Sequence, residues 1–217
     1  METYRSGHNG AHSKCVSLKR LESSNLSVSA KKNRQRYACR FFYLNKNMLL
    51  KNSYRERDFM TKIMFVCHGN ICRSPMAEFI FRKMIEENNL SHKYIVSSSA
   101  TSTEEIWNGI GNPVYPPAKA ELKKHGITCE GKRAVQLRKN DYENYDMFIC
   151  MDSNNVRNAM RILGSDPDGK VCKMMDFTSR KGDVADPWYS DRFDVAYNDI
   201  YDGCTGLLQF LKEKNND

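Results

Sequence analysis

No stretch of this chain is long or apolar enough to cross a membrane. The N-terminus lacks the apolar segment and small-residue cleavage site of a secretory signal. No Cys-x-x-Cys pair occurs, and His8, His12, His68, His92 and His125 are scattered, which argues against a structural zinc site. There is no internal repeat. Cysteine itself is not scarce: Cys15, Cys39, Cys67, Cys72, Cys129, Cys150, Cys172 and Cys204 are present. Their spacing is irregular, however, and several lie in apolar runs such as Met147-Phe148-Ile149-Cys150-Met151. That pattern reads as free core thiols in a reducing, cytoplasmic setting rather than as a disulfide framework.

The formal charge of +8 is unevenly spread. Of the 34 Lys/Arg and 26 Asp/Glu, 13 and 4 fall in residues 1–60, which leaves 21 basic and 22 acidic side chains beyond. The first 60 residues thus read as a basic, disordered N-terminal extension, and Met60, just before the first apolar run, is a candidate translation start. The near-neutral remainder, 61–217, gives no reason to expect nucleic acid or membrane as a partner of the main domain.

From Met60 onward, strand and helix patterns alternate. Strands are expected at about 62–66, 94–97, 147–151 and 171–175, and helices at about 74–89, 116–125, 138–143, 153–163 and 193–211. Pro116-Pro117 opens the second helix and Gly126 closes it, the expected asymmetry of helix ends. Alternation with apolar strands predicts an α/β fold, one doubly wound domain whose four-stranded parallel sheet carries helices on both faces. Ligands of such folds bind at the carboxyl ends of the strands.

At the end of the first strand stands Cys67-His68-Gly69-Asn70-Ile71-Cys72-Arg73, followed by Ser74-Pro75 and an amphipathic helix. A nucleophilic sulfur, five intervening residues and a guanidinium on a strand-to-helix turn suit the capture of a tetrahedral oxyanion. Backbone N–H groups of the turn and the helix N-terminus point at the anion. Arg73 can fold back and grip two equatorial oxygens with its planar fork. The same field favours the thiolate, the form that attacks. Gly69 is the natural place for a backbone conformation closed to side chains with a Cβ. Nothing in this arrangement calls for a metal or another cofactor, since guanidinium and amides neutralise the phosphate.

Together with the distant Ala185-Asp186-Pro187-Trp188-Tyr189, the heptad resembles the signature of the low-molecular-weight protein tyrosine phosphatases, and the likeness covers about residues 61–213. The resemblance implies that Cys67 is the nucleophile forming a phosphocysteine, that Arg73 and the amides of 68–73 bind the phosphate, and that Ser74 hydrogen-bonds the thiolate. It also implies that Asn70 holds the loop in a strained shape. Asp186 matches the general acid that protonates the departing phenolate and then activates water. Trp107, Trp188 and Tyr189 resemble an aromatic rim admitting a phenyl phosphate, and Asp152 an aspartate near the loop that as a plain helix N-cap is equally well explained. Cys72 resembles the second loop cysteine, which in relatives pairs with the nucleophile under peroxide; a helix-start cysteine facing the core is the alternative.

One position departs from the resemblance. Animal members carry a loop-supporting histidine shortly after a His-Gly-Ile stretch, and here Gly131 follows His125-Gly126-Ile127. That support must be absent or supplied differently. Among rivals, protein arginine phosphatases typically have threonine where this chain has Ile71, whose methyl surface suits a phenyl ring. Arsenate reductases of this fold need two closely spaced further cysteines, which Cys150, Cys172 and Cys204 do not provide. A non-catalytic phosphate-binding or redox-sensing module would need no proton donor such as Asp186. The expectation is a cytoplasmic protein-tyrosine phosphatase acting on tyrosine-phosphorylated proteins.

Overall fold

The computed structural model describes residues 60–215. The expected basic extension and the candidate start at Met60 concern, but for Met60 itself, residues outside that range. The elements run β1 (Thr61–Cys67), α1 (Arg73–Glu87), β2 (Tyr94–Ala100), β3 (Ile106–Trp107), β4 (Ile110–Gly111), α2 (Pro116–Lys124), α3 (Asp141–Asn144), β5 (Met147–Cys150), α4 (Ser153–Leu163) and β6 (Val171–Lys173). A 3₁₀ turn (Met174–Phe177), α5 (Pro187–Ser190) and α6 (Phe193–Asn215) complete the chain.

The main sheet has four parallel strands in the order β2-β1-β5-β6. Strand β1 lies between β2 and β5, and its alternating side chains feed two cores. Ile63, Phe65 and Cys67 face the larger one, shared with Phe81 of α1, Leu122 of α2 and Ile200 and Leu207 of α6. Met64 and Val66 face the smaller one, shared with Tyr142 of α3, Phe148 of β5 and Ala159 and Leu163 of α4. Helices therefore cover both faces, and β1, buried on both, reads as a continuous apolar run. Complete burial of Phe65 and Phe148 stabilises the fold by about 1.5–3 kcal/mol each. Helix α6 comes close to the 3₁₀ turn at Gly206, where a Cβ would stand 2.0 Å from the Phe177 carbonyl oxygen.

Several boundaries differ from expectation. Strand β2 runs on to Ala100 and α6 to Asn215, whereas β6 stops at Lys173 and gives way to the 3₁₀ turn. The segment after β2, expected as loop, folds into the small antiparallel ribbon β3–β4. Its strands are too short to carry a periodic signal, and Asn108 and Gly109, both at positive φ, turn it. Within the long loop before α6, Pro187 at the first helical position nucleates α5.

Since β1 pairs with β2 on one side and β5 on the other, the loops after β1 and β5 emerge side by side at the carboxyl edge. One carries Cys67 to Arg73 and the other Asp152. The fold thereby sets the heptad at the switch point of the sheet.

Candidate active site

The turn after β1 is tied down from outside. The carbonyls of Cys67, His68 and Ile71 accept hydrogen bonds from the N–H groups of Thr101, Ser102 and Tyr115, each at 2.9 Å. In a planar trans peptide the C=O and the following N–H point in opposite directions. Outward carbonyls at these positions therefore turn the amides of His68, Gly69 and Cys72 toward the inside of the loop. Helix α1 begins at Arg73, and no side chain of the described residues caps it. Its first amides and dipole thus face the same point.

Asn70 bears the backbone strain of the loop. Its φ is +56°, the left-handed region that asparagine tolerates better than most residues, and it is fully buried. Gly69, expected to hold that conformation, does not adopt a positive φ; its lack of a side chain matters because a Cβ would stand 3.0 Å from Cγ of Glu105. The Asn70 side chain makes three bonds. Oδ1 accepts from the Val135 N–H at 3.0 Å, while Nδ2 donates to Ser74 Oγ and Ser98 Oγ, each at 2.8 Å. Gly131 has no side chain to join this network.

Cys67 Sγ lies 3.0 Å from Ser74 Oγ and accepts the Asn70 N–H at 3.3 Å. Cys72, in the N-cap position of α1, is buried, and its thiol is pushed up to about 12 by that burial and then by the charges of Cys67 and Asp186, against the opposing pull of Arg73. Cys72 is thereby kept protonated. Ile71 is buried in the larger core rather than laid open to the cleft, so the face it offers a substrate ring is small.

Arg73 is almost wholly buried, and its two terminal nitrogens are taken by two carboxylates: NH1 donates to Asp152 Oδ2 at 2.7 Å and NH2 to Asp186 Oδ2 at 2.6 Å. Burial alone would lower its pKa, but the charges of Cys67, Asp186 and Asp152 hold it above the ordinary value. Of the two explanations offered for Asp152, the N-cap is observed: its Oδ1 caps α4 by accepting the Asn155 N–H at 2.6 Å. Asp186 caps α5 through the Trp188 N–H at 3.1 Å, and a third of its side chain remains exposed.

The aromatic residues stand around this centre unequally. Trp188 packs against Tyr115, ring centroids 5.4 Å apart, and Tyr115 in turn against Phe193. Tyr189 and Trp107 are largely exposed, the latter on β3. His68 pairs with Glu104 at 2.9 Å on the surface. Tyr115, Glu104 and Glu105 were not singled out in the sequence; Tyr115, next to Pro116, carries no signal beyond that of a helix N-cap.

Comparison with known proteins agrees with this geometry. Residues 62–217 match the family model described as low molecular weight phosphotyrosine protein phosphatase. The chain is similar to the low molecular weight phosphotyrosine protein phosphatase of Gallus gallus, 35% identical over 155 residues that make up 70% of this chain and 94% of that one. It is also similar to the low molecular weight protein-tyrosine-phosphatase YfkJ of Bacillus subtilis, 32% identical over 71% of this chain and 98% of the relative. The crystal structure of YfkJ superposes with a TM-score of 0.69 over 73% of this chain and 99% of that one, at 31% identity. The structure of SP-PTP from Streptococcus pyogenes does so with a TM-score of 0.62 over 70% and 93%, at 35% identity. With the family model matching nearly all of the described residues and relatives above 30% identity covered almost whole, the chain belongs to the low-molecular-weight phosphotyrosine protein phosphatase family.

Proposed function

We propose that this protein-tyrosine phosphatase hydrolyses phosphotyrosine in proteins through a covalent intermediate on Cys67. The observation that carries the reading is the meeting of Arg73 with Asp186: a buried guanidinium at the end of the sulfur-bearing loop holds a carboxylate, one third exposed, that belongs to a distant segment. A substrate phosphate takes the place of Asp186 on Arg73 while Asp152 keeps the guanidinium in plane. The inward amides of the loop take the remaining oxygens. Released from Arg73, the Asp186 carboxylate takes up a proton from solvent and, as the neutral acid, lies toward the leaving-group oxygen.

In the first step the Cys67 thiolate attacks phosphorus. The S–P bond forms, the P–O bond to the phenol breaks, and Asp186 gives its proton to the departing oxygen. In the second step Asp186 takes a proton from water, the new O–P bond forms, and the S–P bond breaks to return the thiolate. Ser74 Oγ, at 3.0 Å from Sγ, stabilises that thiolate in both its departures and returns. Arg73 and the amides supply the positive field, so the proposed reaction requires no metal or other cofactor.

His68, Gly69, Asn70, Ile71, Cys72 and Ser74 form the proposed phosphate cradle, and Trp107, Trp188 and Tyr189 the rim for the phenyl ring. A cleft walled by these rings and deep enough to reach Cys67 admits an aryl phosphate and holds the shorter phosphoserine away from the sulfur. The proposed location is the cytoplasm, which suits the six buried free thiols of the described residues. The test is hydrolysis by the full chain, with EDTA present, of matched peptides carrying phosphotyrosine, phosphoarginine or phosphoserine. Selective turnover of phosphotyrosine is expected. Preference for phosphoarginine would overturn the substrate assignment, and no turnover of any peptide would overturn the catalytic one.

A further inference from the structure

The loop that carries Asp186 is held from a second side, by a buried carboxylate that the chemistry above does not use. Asp199 lies on α6, 7% exposed, beside the fully buried Ile200. Its Oδ2 accepts the Ala185 N–H at 3.1 Å, and its Oδ1 accepts from Arg180 NH2 at 2.9 Å. One carboxylate therefore takes both ends of the segment 180–185, the second of them at the residue next to Asp186. A carboxylate withdrawn from water keeps its charge only with such partners. Arg180 also reaches Asp202, one turn further along α6, at 2.9 Å, but both of those side chains are about half exposed and the contact weighs little.

Three consecutive residues of the loop are fixed from three different elements. The Val184 N–H donates to the Met151 carbonyl just past β5 at 2.9 Å, the Ala185 N–H to Asp199 of α6, and Asp186 accepts from Arg73 at 2.6 Å. Val184 is also buried, at 2% exposure. In the mechanism proposed above, only the bond to Arg73 is given up when phosphate binds. With Val184 and Ala185 still held, the freed carboxyl moves by turning about its own side-chain bonds, among a few staggered positions. With Ala185 loose, its backbone moves as well, and the proton donor is no longer set against the leaving-group oxygen.

We propose that Asp199 is a positioning residue for the general acid: by fixing the backbone at Ala185 it keeps Asp186, once released from Arg73 and protonated, within reach of the leaving-group oxygen. The inference rests on Asp186 being the acid proposed above.

The experiment uses the full chain with Asp199→Ala, the double variant Asp199→Asn with Arg180→Ala, and Asp186→Ala as reference. It reads kcat/KM for a phosphotyrosine peptide and for p-nitrophenyl phosphate, whose leaving group needs little protonation. Asp199→Ala is expected to lower kcat/KM about tenfold on the peptide, short of the loss from removing the acid itself, and clearly less on the nitrophenyl ester. Inhibition by inorganic phosphate stays near the wild-type value, because the cradle is untouched. The double variant removes both charges but leaves an amide oxygen for the Ala185 N–H, and should recover most of the peptide activity. Unchanged kcat/KM in Asp199→Ala, or equal loss on both esters, would overturn the proposal whatever the Tm, since those are the patterns of a bond that serves the fold alone. If Asp199→Ala does not fold, Asp199→Leu, which fills the space and accepts no hydrogen bond, decides in the same way. Selective loss in Asp186→Ala without it in Asp199→Ala defeats this proposal only. No selective loss in Asp186→Ala defeats the acid reading and this proposal with it.

Discussion

Arg73 and Asp186, 113 residues apart in the chain, hold each other at 2.6 Å. In the proposed mechanism the residue that grips phosphate is thereby held by the residue that moves the proton, and the substrate separates the two. The contact ties the Asp186 loop to the end of the sulfur-bearing turn.

Asp186→Ala is expected to lower kcat on phosphotyrosine peptides by about 10²–10⁴-fold, the usual weight of a general acid. The loss is smaller for aryl phosphates with good leaving groups, which need little protonation. The same substitution frees Arg73 from a competing carboxylate, so inorganic phosphate should inhibit several-fold more tightly. Steady-state kinetics with two esters and a phosphate inhibition series check both expectations. Unchanged kcat would exclude the acid role.

Asp152 combines two duties that can be separated. Asp152→Ala loses the cap of α4, worth about 1 kcal/mol, together with the hold on Arg73. Asp152→Ser keeps a capping oxygen without the charge. The serine variant should recover most of the lost stability in urea unfolding and little of the lost kcat/KM. Recovery of both would show that Asp152 serves the fold alone.

Asn70→Gly and Asn70→Ala separate conformation from hydrogen bonding. Glycine accepts the positive φ of 56° and alanine does not, while neither makes the bonds to Ser74, Ser98 and Val135. Alanine should be the less stable of the two by about 1 kcal/mol or more. Both should lose kcat, because both release the Ser74 hydroxyl. Thermal unfolding and kinetics on the pair provide the check.

Stability should fall as pH rises beyond about 9. The Cys72 thiol and the Tyr197 hydroxyl are each pushed up to about 12, from 9.0 and 10.0, chiefly by burial. Below pH 9 the folded and unfolded states are both protonated at these groups, and their contribution is fully present. Above it the unfolded chain gives up protons that the fold retains, so unfolding becomes easier, by at most ~1.4 kcal/mol per pH unit for each group. Urea unfolding at pH 7 and pH 10 checks the sign. Over the same change Cys72 should resist alkylation that labels Cys67 at neutral pH.

The heptad was legible as a compact motif whose residues need no partner to be read, whereas Asp186, by itself an ordinary turn aspartate before Pro187, was singled out only through the family resemblance. The four parallel strands were legible because β1 and β5, buried on both faces, are continuous apolar runs. The β3–β4 ribbon was not, since its two-residue strands fall below any period. Nor was the contact of Asp199 with Ala185. In an amphipathic helix Asp199 reads as part of the solvated face, and only the tertiary fold lays the Asp186 loop against it. The strain assigned to Gly69 lies at Asn70 because the side-chain amide, bonded on three sides, offsets a backbone cost that glycine would have met without bonds. Ile71 points into the core for a similar reason: its carbonyl is anchored to Tyr115, and the aliphatic side chain follows the apolar side of the turn.

The central claim is a phosphoryl group carried by Cys67. Asp186→Ala should accumulate that species, because loss of the base slows its hydrolysis more than its formation from an activated aryl phosphate. Rapid quenching in denaturant during turnover, followed by peptide mass spectrometry, tests this directly. The account predicts one added phosphoryl group on the peptide containing Cys67, absent in Cys67→Ser. Steady release of phenol with no phosphorylated Cys67 peptide, or with the group on another residue, would contradict it.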